Sequence, residues 1–258
     1  MKATAVLVVP CYNESDRFDA TYWTQAAALD GLHIVFVDDG SGDATADVLT
    51  QFAADRSNVS VLILERNVGK ADAVRRGMAH AVATMEPPVC GFVDADAAVD
   101  VADLDALVHA AAAGAERDTL DTVWAARVAL AGHHIQRSTR RHMLGRVIAV
   151  AMSSGGQRLP FDTQCGCKFF VTSAEFVACL EQPFRTRWFV DVELLYRLRD
   201  AHGEAVRVLE VPLAQWRDIP GSRITGAEVF RIVVEVLRVR RLRPRSTGPI
   251  IADRVSAG

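Results

Sequence analysis

No apolar run in this chain approaches the ~18 residues needed to cross a bilayer as a helix. No targeting segment precedes the first apolar stretch, which reads as a cytoplasmic protein. No Gly-x-Gly-x-x-Gly follows that stretch, and no Gly-Lys-Ser/Thr loop occurs anywhere. A dinucleotide-binding enzyme and a P-loop NTPase are therefore disfavoured. Cysteine is sparse and odd in number: Cys11, Cys90, Cys165, Cys167 and Cys179. The close pair Cys165-Gly166-Cys167 has no second Cys/His pair at a zinc spacing, so free thiols in a reducing compartment are expected. Aromatics are 7% of the chain and do not interleave with its arginine clusters. That argues against a nucleic-acid binder, which stacks bases on aromatic side chains. Internal repeats and low-complexity linkers are also missing.

What is present suits one sizeable globular unit: 258 residues, half of them hydrophobic and 24% charged. The net charge of −3 conceals two basic stretches. Arg127 to Arg146 holds five arginines, three histidines and no acid, and Arg231 to Arg245 holds six arginines against the single acid Glu235. Such patches point to an anionic partner.

The first half alternates short apolar runs with helix-like segments. Strands are expected at 4–10, 33–38, 59–64 and 89–94, with helices at 15–29, 43–54 and 69–83 between them. Continuous apolar strands separated by helices imply an α/β fold, with a mostly parallel, Rossmann-like sheet and helices on both faces. The second half reads as a helix at 102–113, a strand at 122–128, helices at 138–152, 173–180 and 191–201, strands at 169–172 and 206–212, and a helix at 226–239. A loose tail is expected over 244–258. The chain is thus expected to form a single domain over 1–258, with residues 4–98 and 99–240 as its two halves.

Ligands in such sheets bind beyond the carboxyl ends of the strands. There the fourth strand ends in Asp94-Ala95-Asp96. Alternate residues of a strand share a face, so the two carboxylates can point the same way and hold Mg²⁺ or Mn²⁺ with substrate phosphates. The other strand ends carry Pro10-Cys11-Tyr12-Asn13-Glu14, Asp38-Asp39-Gly40-Ser41 and Asn67-Val68-Gly69-Lys70. Acids, glycines and one lysine on a single edge suit a pocket for a metal and a nucleotide.

These four motifs, in this order and spacing, resemble the family 2 glycosyltransferases of the GT-A fold. Three later motifs resemble the branch that uses dolichyl or other polyprenyl phosphates. They are Asp162-Thr163-Gln164-Cys165-Gly166-Cys167-Lys168, Arg187-Trp188-Phe189-Val190-Asp191-Val192-Glu193 and Trp216-Arg217-Asp218. The resemblance spans roughly residues 4 to 240. It implies that Pro10, Tyr12, Glu14 and Asp39 hold the base and ribose of a nucleotide-sugar, with Lys70 near the diphosphate. Asp94 and Asp96 would hold that diphosphate through the metal. Asp191 lies where related inverting enzymes place a general base, and Trp188 and Gln164 would shape the sugar or acceptor pocket. Arg127, Arg137, Arg140 and Arg141 would meet an acceptor phosphate. Two positions depart from the pattern. Asp72 follows Lys70 closely, and Ala97-Ala98 offers no third metal ligand.

The function implied is metal-dependent, inverting transfer of glucose or mannose from UDP-glucose or GDP-mannose to polyprenyl phosphate, at the cytosolic face of a membrane. The alternative keeps the chemistry and uses a hydroxyl of a soluble acceptor, with Asp191 as base. The basic segment around 226–245, with Val229, Phe230, Val233, Val234, Val236 and Leu237 beside its arginines, has the composition of a helix lying on an anionic membrane surface.

Overall fold

The computed structural model describes residues 3–136, 159–203, 205–217, 234–239, 241–242 and 250–254. Its frame is an eight-stranded sheet in the order β10-β8-β5-β7-β4-β1-β2-β3. The strands are β1 (Ala5–Cys11), β2 (Leu32–Asp38), β3 (Val59–Ile63), β4 (Val89–Val93), β5 (Thr122–Ala126), β7 (Cys167–Val171), β8 (Val206–Pro212) and β10 (Ile250–Arg254). All neighbours pair in parallel except β7, which runs antiparallel between β4 and β5. A separate two-stranded ribbon joins β6 (His134–Gln136) to β9 (Gln215–Arg217).

The period-2 alternation of the strands feeds two apolar layers. Leu7, Val9, Ile34, Phe36, Val123 and Phe169 face one way, against α1 (Ala20–Ala27), α2 (Thr45–Ala53) and α4 (Val101–Arg117). Val6, Val8, Val35, Val37, Phe92 and Phe170 face the other, against α3 (Lys70–Met85), α5 (Ala174–Glu181) and α6 (Val190–His202). Both faces being covered explains why the strands read as unbroken apolar runs. This is the α/β architecture expected from the sequence.

Three readings are corrected. Helix α1 starts at Ala20, five residues later than expected, because the Asp19 carboxylate caps it by accepting from the Thr21 and Tyr22 amides. The preceding residues form a loop stitched to the β2–α2 turn. The tail is not uniformly loose, because β10 adds a parallel strand to the edge beside β8. The apolar residues of the C-terminal helical segment 234–239 divide, because Leu237 is 48% exposed whereas Val236 turns inward. Val236 and Val239 are buried in one cluster with Phe189, Val192 and Tyr196. The helix expected at 138–152 lies outside the described residues, as do Arg137, Arg140 and Arg141.

Candidate active site

At the carboxyl edge, β1 pairs with β2 as far as Cys11 but with β4 only as far as Val8. Strands β1 and β4 therefore separate before Pro10, which has no N–H to contribute to a ladder. A cleft of about 740 Å³ opens at this edge. Eight of the residues named from the sequence line it: Pro10, Tyr12, Glu14, Asp39, Lys70, Asp94, Asp96 and Trp188. Its size lies in the range of small-molecule and cofactor sites. Tyr12 is 48% exposed and Trp188 56%, so both rings present apolar surface to the cleft.

The cleft loops are bound to one another. The Asn13 amide donates to Ser41 Oγ at 3.0 Å, and Asn13 Oδ1 accepts from the Gly42 amide at 2.9 Å. Thr45 Oγ1 accepts from the Glu14 and Ser15 amides. Asp39 accepts from the Val68 and Gly69 amides at 2.7 and 2.9 Å. It thereby fixes the β3–α3 loop and presents the first turn of α3 to the cleft. Gly69 has φ near +91°, and a Cβ there would lie 3.0 Å from Arg187 Nε. The positive φ disfavours any side chain there, and a Cβ would also press on the Arg187 guanidinium.

Lys70 opens α3 and its ammonium lies 2.5 Å from Asp94 Oδ1. Burial opposes its charge, but Asp94, Asp191 and Asp96 together outweigh that and hold its pKa above the ordinary lysine value. Asp96 is pushed above the usual carboxylate range, first by burial and then by the neighbouring Asp94 charge. The turn after it is tight: Ala97 has φ near +55°, and the Ala98 amide donates to Asp96 Oδ1 at 3.2 Å. A Cβ on Gly166 would lie 2.3 Å from Asp94 Oδ2, so that glycine is the floor on which the carboxylate rests. Two partly buried carboxylates of like charge on one turn of an open cleft are a donor set that fits a divalent cation. Among the described residues no third acid, histidine or cysteine joins them, so other ligand positions fall to substrate oxygens and water. The Asp72 charge does not compete with Lys70, being paired with Arg75 and Arg76 at 2.5 and 2.9 Å.

Three residues expected in the site stand elsewhere. Asp191, on the first turn of α6, is 5% exposed and does not line the cleft. Its Oδ2 lies 2.6 Å from Lys168 Nζ, and its Oδ1 accepts from the Val192 amide. Lys168 is fully buried, also donates to the Cys165 carbonyl and sits 4.5 Å from the centre of the Trp124 ring. Arg127 grips Asp162 through Nε at 2.7 Å and a terminal nitrogen at 2.8 Å, with Trp216 against its guanidinium. It secures the loop after β5 instead of lining the cleft. Burial alone would raise the Asp162 pKa, but the hydrogen bonds and charge of Arg127 hold it at about 2. Gln164 donates to the Thr163 carbonyl and also lies outside the cleft.

The cleft contains cations that the sequence reading left without a role. Arg17 pairs with Glu14 at 2.6 Å, and Arg187 donates to Asn67 Oδ1 at 3.2 Å. Arg187 adjoins Trp188 in a motif already singled out, so its position could have been anticipated; nothing in the sequence marks Arg17. A larger groove of about 1070 Å³ lies along α5 and α6, but its Arg197 is already bonded to Glu193 and three backbone carbonyls. The paired acids and Lys70 are in the smaller cleft. All five cysteines are buried and unpaired, and burial lifts the thiols of Cys90, Cys165 and Cys179 to about 12. None is poised as a nucleophile or metal ligand.

Comparison with known proteins agrees with this geometry. Residues 6–167 match the family described as Glycosyl transferase family 2. A dolichyl-phosphate beta-glucosyltransferase of Drosophila melanogaster is 30% identical over 258 residues, covering 90% of this chain and 74% of that protein. One from Trichomonas vaginalis, ALG5D, is 28% identical over 242 residues, covering 90% and 71%. Among solved structures, glucosyl-3-phosphoglycerate synthase from Mycobacterium tuberculosis, in complex with Mn²⁺, UDP and phosphoglyceric acid, superposes with a TM-score of 0.64. That match has 17% identity and covers 95% of this chain and 80% of that one. A mannosyltransferase from Pyrobaculum calidifontis, in complex with GDP-mannose and Mn²⁺, gives a TM-score of 0.63 at 17% identity, covering 95% and 66%. The chain therefore belongs to glycosyl transferase family 2, has the GT-A fold and is a glycosyltransferase.

Proposed function

We propose that the protein transfers a hexose from a nucleotide-sugar to a polyprenyl phosphate with inversion, at the cytosolic face of a membrane. The relatives named for glucosyl transfer to dolichyl phosphate favour UDP-glucose as donor, with GDP-mannose second. In this reading Pro10, Tyr12, Glu14 and Asp39 border the nucleoside and Lys70 faces the diphosphate. The N-terminus of α3 adds positive potential on the same side. Asp94 and Asp96 would hold Mg²⁺ or Mn²⁺, which supplies Lewis-acid stabilisation of the departing diphosphate. Solved neighbours that contain Mn²⁺ support a divalent ion.

The observation that carries the acceptor assignment is the Lys168–Asp191 pair. A hydroxyl acceptor needs a base, an aid typically worth 10²–10⁴-fold. Asp191 is held by a buried ammonium and a backbone amide, and protonating it would strand the Lys168 charge. A phosphate monoester is already anionic near pH 7. Its oxygen can attack the anomeric carbon directly, and the bond from that carbon to the nucleoside diphosphate breaks with the electron pair leaving on phosphate. Asp191 then serves as the counter-charge of Lys168, and no proton passes through it.

Arg137, Arg140 and Arg141 would meet the acceptor phosphate as its cations. Contact with a membrane would be peripheral and electrostatic, through outward arginines such as Arg238 and Arg241. The test is a transfer assay offering labelled UDP-glucose or GDP-mannose, with Mg²⁺ or Mn²⁺, to a short polyprenyl phosphate and separately to water-soluble glycans. Label in the lipid phase supports the proposal and names the donor. Label only in a water-soluble product defeats it and restores Asp191 as a base.

A further inference from the structure

Glu235 is the only acid among the six arginines from Arg231 to Arg245, and it is not on the surface. It is 5% exposed. Its Oε2 accepts from the Arg187 amide at 2.7 Å, and its Oε1 accepts from Arg238 at 2.6 Å. One residue earlier, the Thr186 amide and hydroxyl both donate to Glu193, at 2.9 Å each. The Arg185 amide donates to the same carboxylate. Three consecutive amides are thus received by two buried carboxylates, one on α6 and one on the C-terminal helical segment. On the other side of this loop, the Arg187 carbonyl accepts from the Ala71 amide at 3.0 Å, in the first turn of α3. The Arg187 side chain lies over Gly69 and reaches Asn67. Arg187 and Trp188 both face the cleft.

We propose that Glu235 is a positioning residue for the donor cleft. By holding the Arg187 amide, it aims Arg187 and Trp188 into the cleft and pins the turn that presents Lys70. The C-terminal helical segment is then a brace for the nucleotide-sugar site. Charge-assisted hydrogen bonds to a desolvated carboxylate are stronger than neutral ones. Removing the acceptor leaves the Arg187 amide, and through it the Ala71 contact, without a fixed partner. The expected defect is in donor binding, with the chemical step intact once donor is bound. This inference rests on the donor reading above.

The test compares wild type, Glu235→Ala and Glu235→Gln as full-length chains. Calorimetric titration with UDP-glucose and with GDP-mannose, each with Mn²⁺, is read beside amide hydrogen exchange without ligand. Glu235→Ala should weaken donor binding about 10-fold, raise the donor KM in parallel and leave kcat within about 2-fold. It should also speed exchange at the Arg187 and Ala71 amides. Glu235→Gln keeps an acceptor oxygen and should recover most of the affinity. A folded Glu235→Ala with wild-type donor affinity overturns the proposal. Unchanged exchange at Arg187 and Ala71 overturns it as well. If the wild type binds neither nucleotide-sugar, the donor reading falls while exchange still decides whether Glu235 is a brace.

Discussion

Lys168 and Asp191 form an ion pair 2.6 Å long beneath the cleft, with the lysine wholly buried and the aspartate nearly so. Asp191 in turn acts electrostatically on Lys70, which is paired with Asp94. The charges alternate in sign from the core outward, so each has a neighbour of opposite sign.

Breaking this pair on one side should harm stability more than chemistry. Asp191→Asn leaves Lys168 buried and uncompensated, at a cost of about 3–5 kcal/mol, which thermal melts will show. Adding Lys168→Met should restore much of that loss. With polyprenyl phosphate as acceptor, turnover per folded Asp191→Asn molecule should fall less than about 10²-fold, below what loss of a general base costs.

Asp96→Asn should abolish transfer while raising the melting temperature of the metal-free protein at neutral pH. The sign follows from the raised pKa of Asp96. The folded state holds its proton more tightly than the unfolded chain does. Stability therefore falls as pH rises from the ordinary aspartate range through the folded pKa, and the amide escapes that penalty. Added Mn²⁺ should raise the melting temperature of wild type but not of the variant. Equal stabilisation of both would remove Asp96 from the metal site.

Gly166→Ala brings a methyl group into the space of the Asp94 carboxylate. The side chain must turn away from its position beside Lys70. Transfer should drop at least about 10-fold, since an ångström of misplacement is costly in a preorganised site. The melting temperature should change little. A fully active Gly166→Ala would mean that the position of Asp94 is not critical.

Arg127→Ala should destabilise the protein by about 3–5 kcal/mol without changing KM for the acceptor. Asp162 loses its bidentate partner, whereas the cleft loses no lining residue. The pH dependence is a second check. A carboxylate held at about 2 contributes stability above its unfolded pKa and loses it as pH falls toward 2. The stability gap between wild type and variant should therefore be full at neutral pH and close below about pH 4. A raised acceptor KM in a stable Arg127→Ala would return the arginine to the acceptor site.

Much of the cleft was readable along the chain because its parts are local. Pro10, Asp39, Lys70 and Asp94 each sit where an apolar strand gives way to turn-forming residues, and parallel β/α order sends all such ends to one edge. The strand spans follow for the same reason: burial on both faces makes each an unbroken apolar run. The antiparallel insertion of β7 and the edge strand β10 were not readable, since a short apolar run does not encode its neighbours or its direction.

The residue types and their order were enough to determine the fold class, the edge at which the cleft opens, the paired acids and the transferase family. The use of each charge was decided only by the tertiary structure. Asp191 meets Lys168 across 23 residues, Arg127 meets Asp162 across 35, and Arg187 meets Glu235 across 48. An acid or an arginine looks the same in sequence whether it faces substrate or a buried partner. Desolvation makes the difference, because a charge carried into the core must find its counter-charge there, and only the folded chain brings the two together.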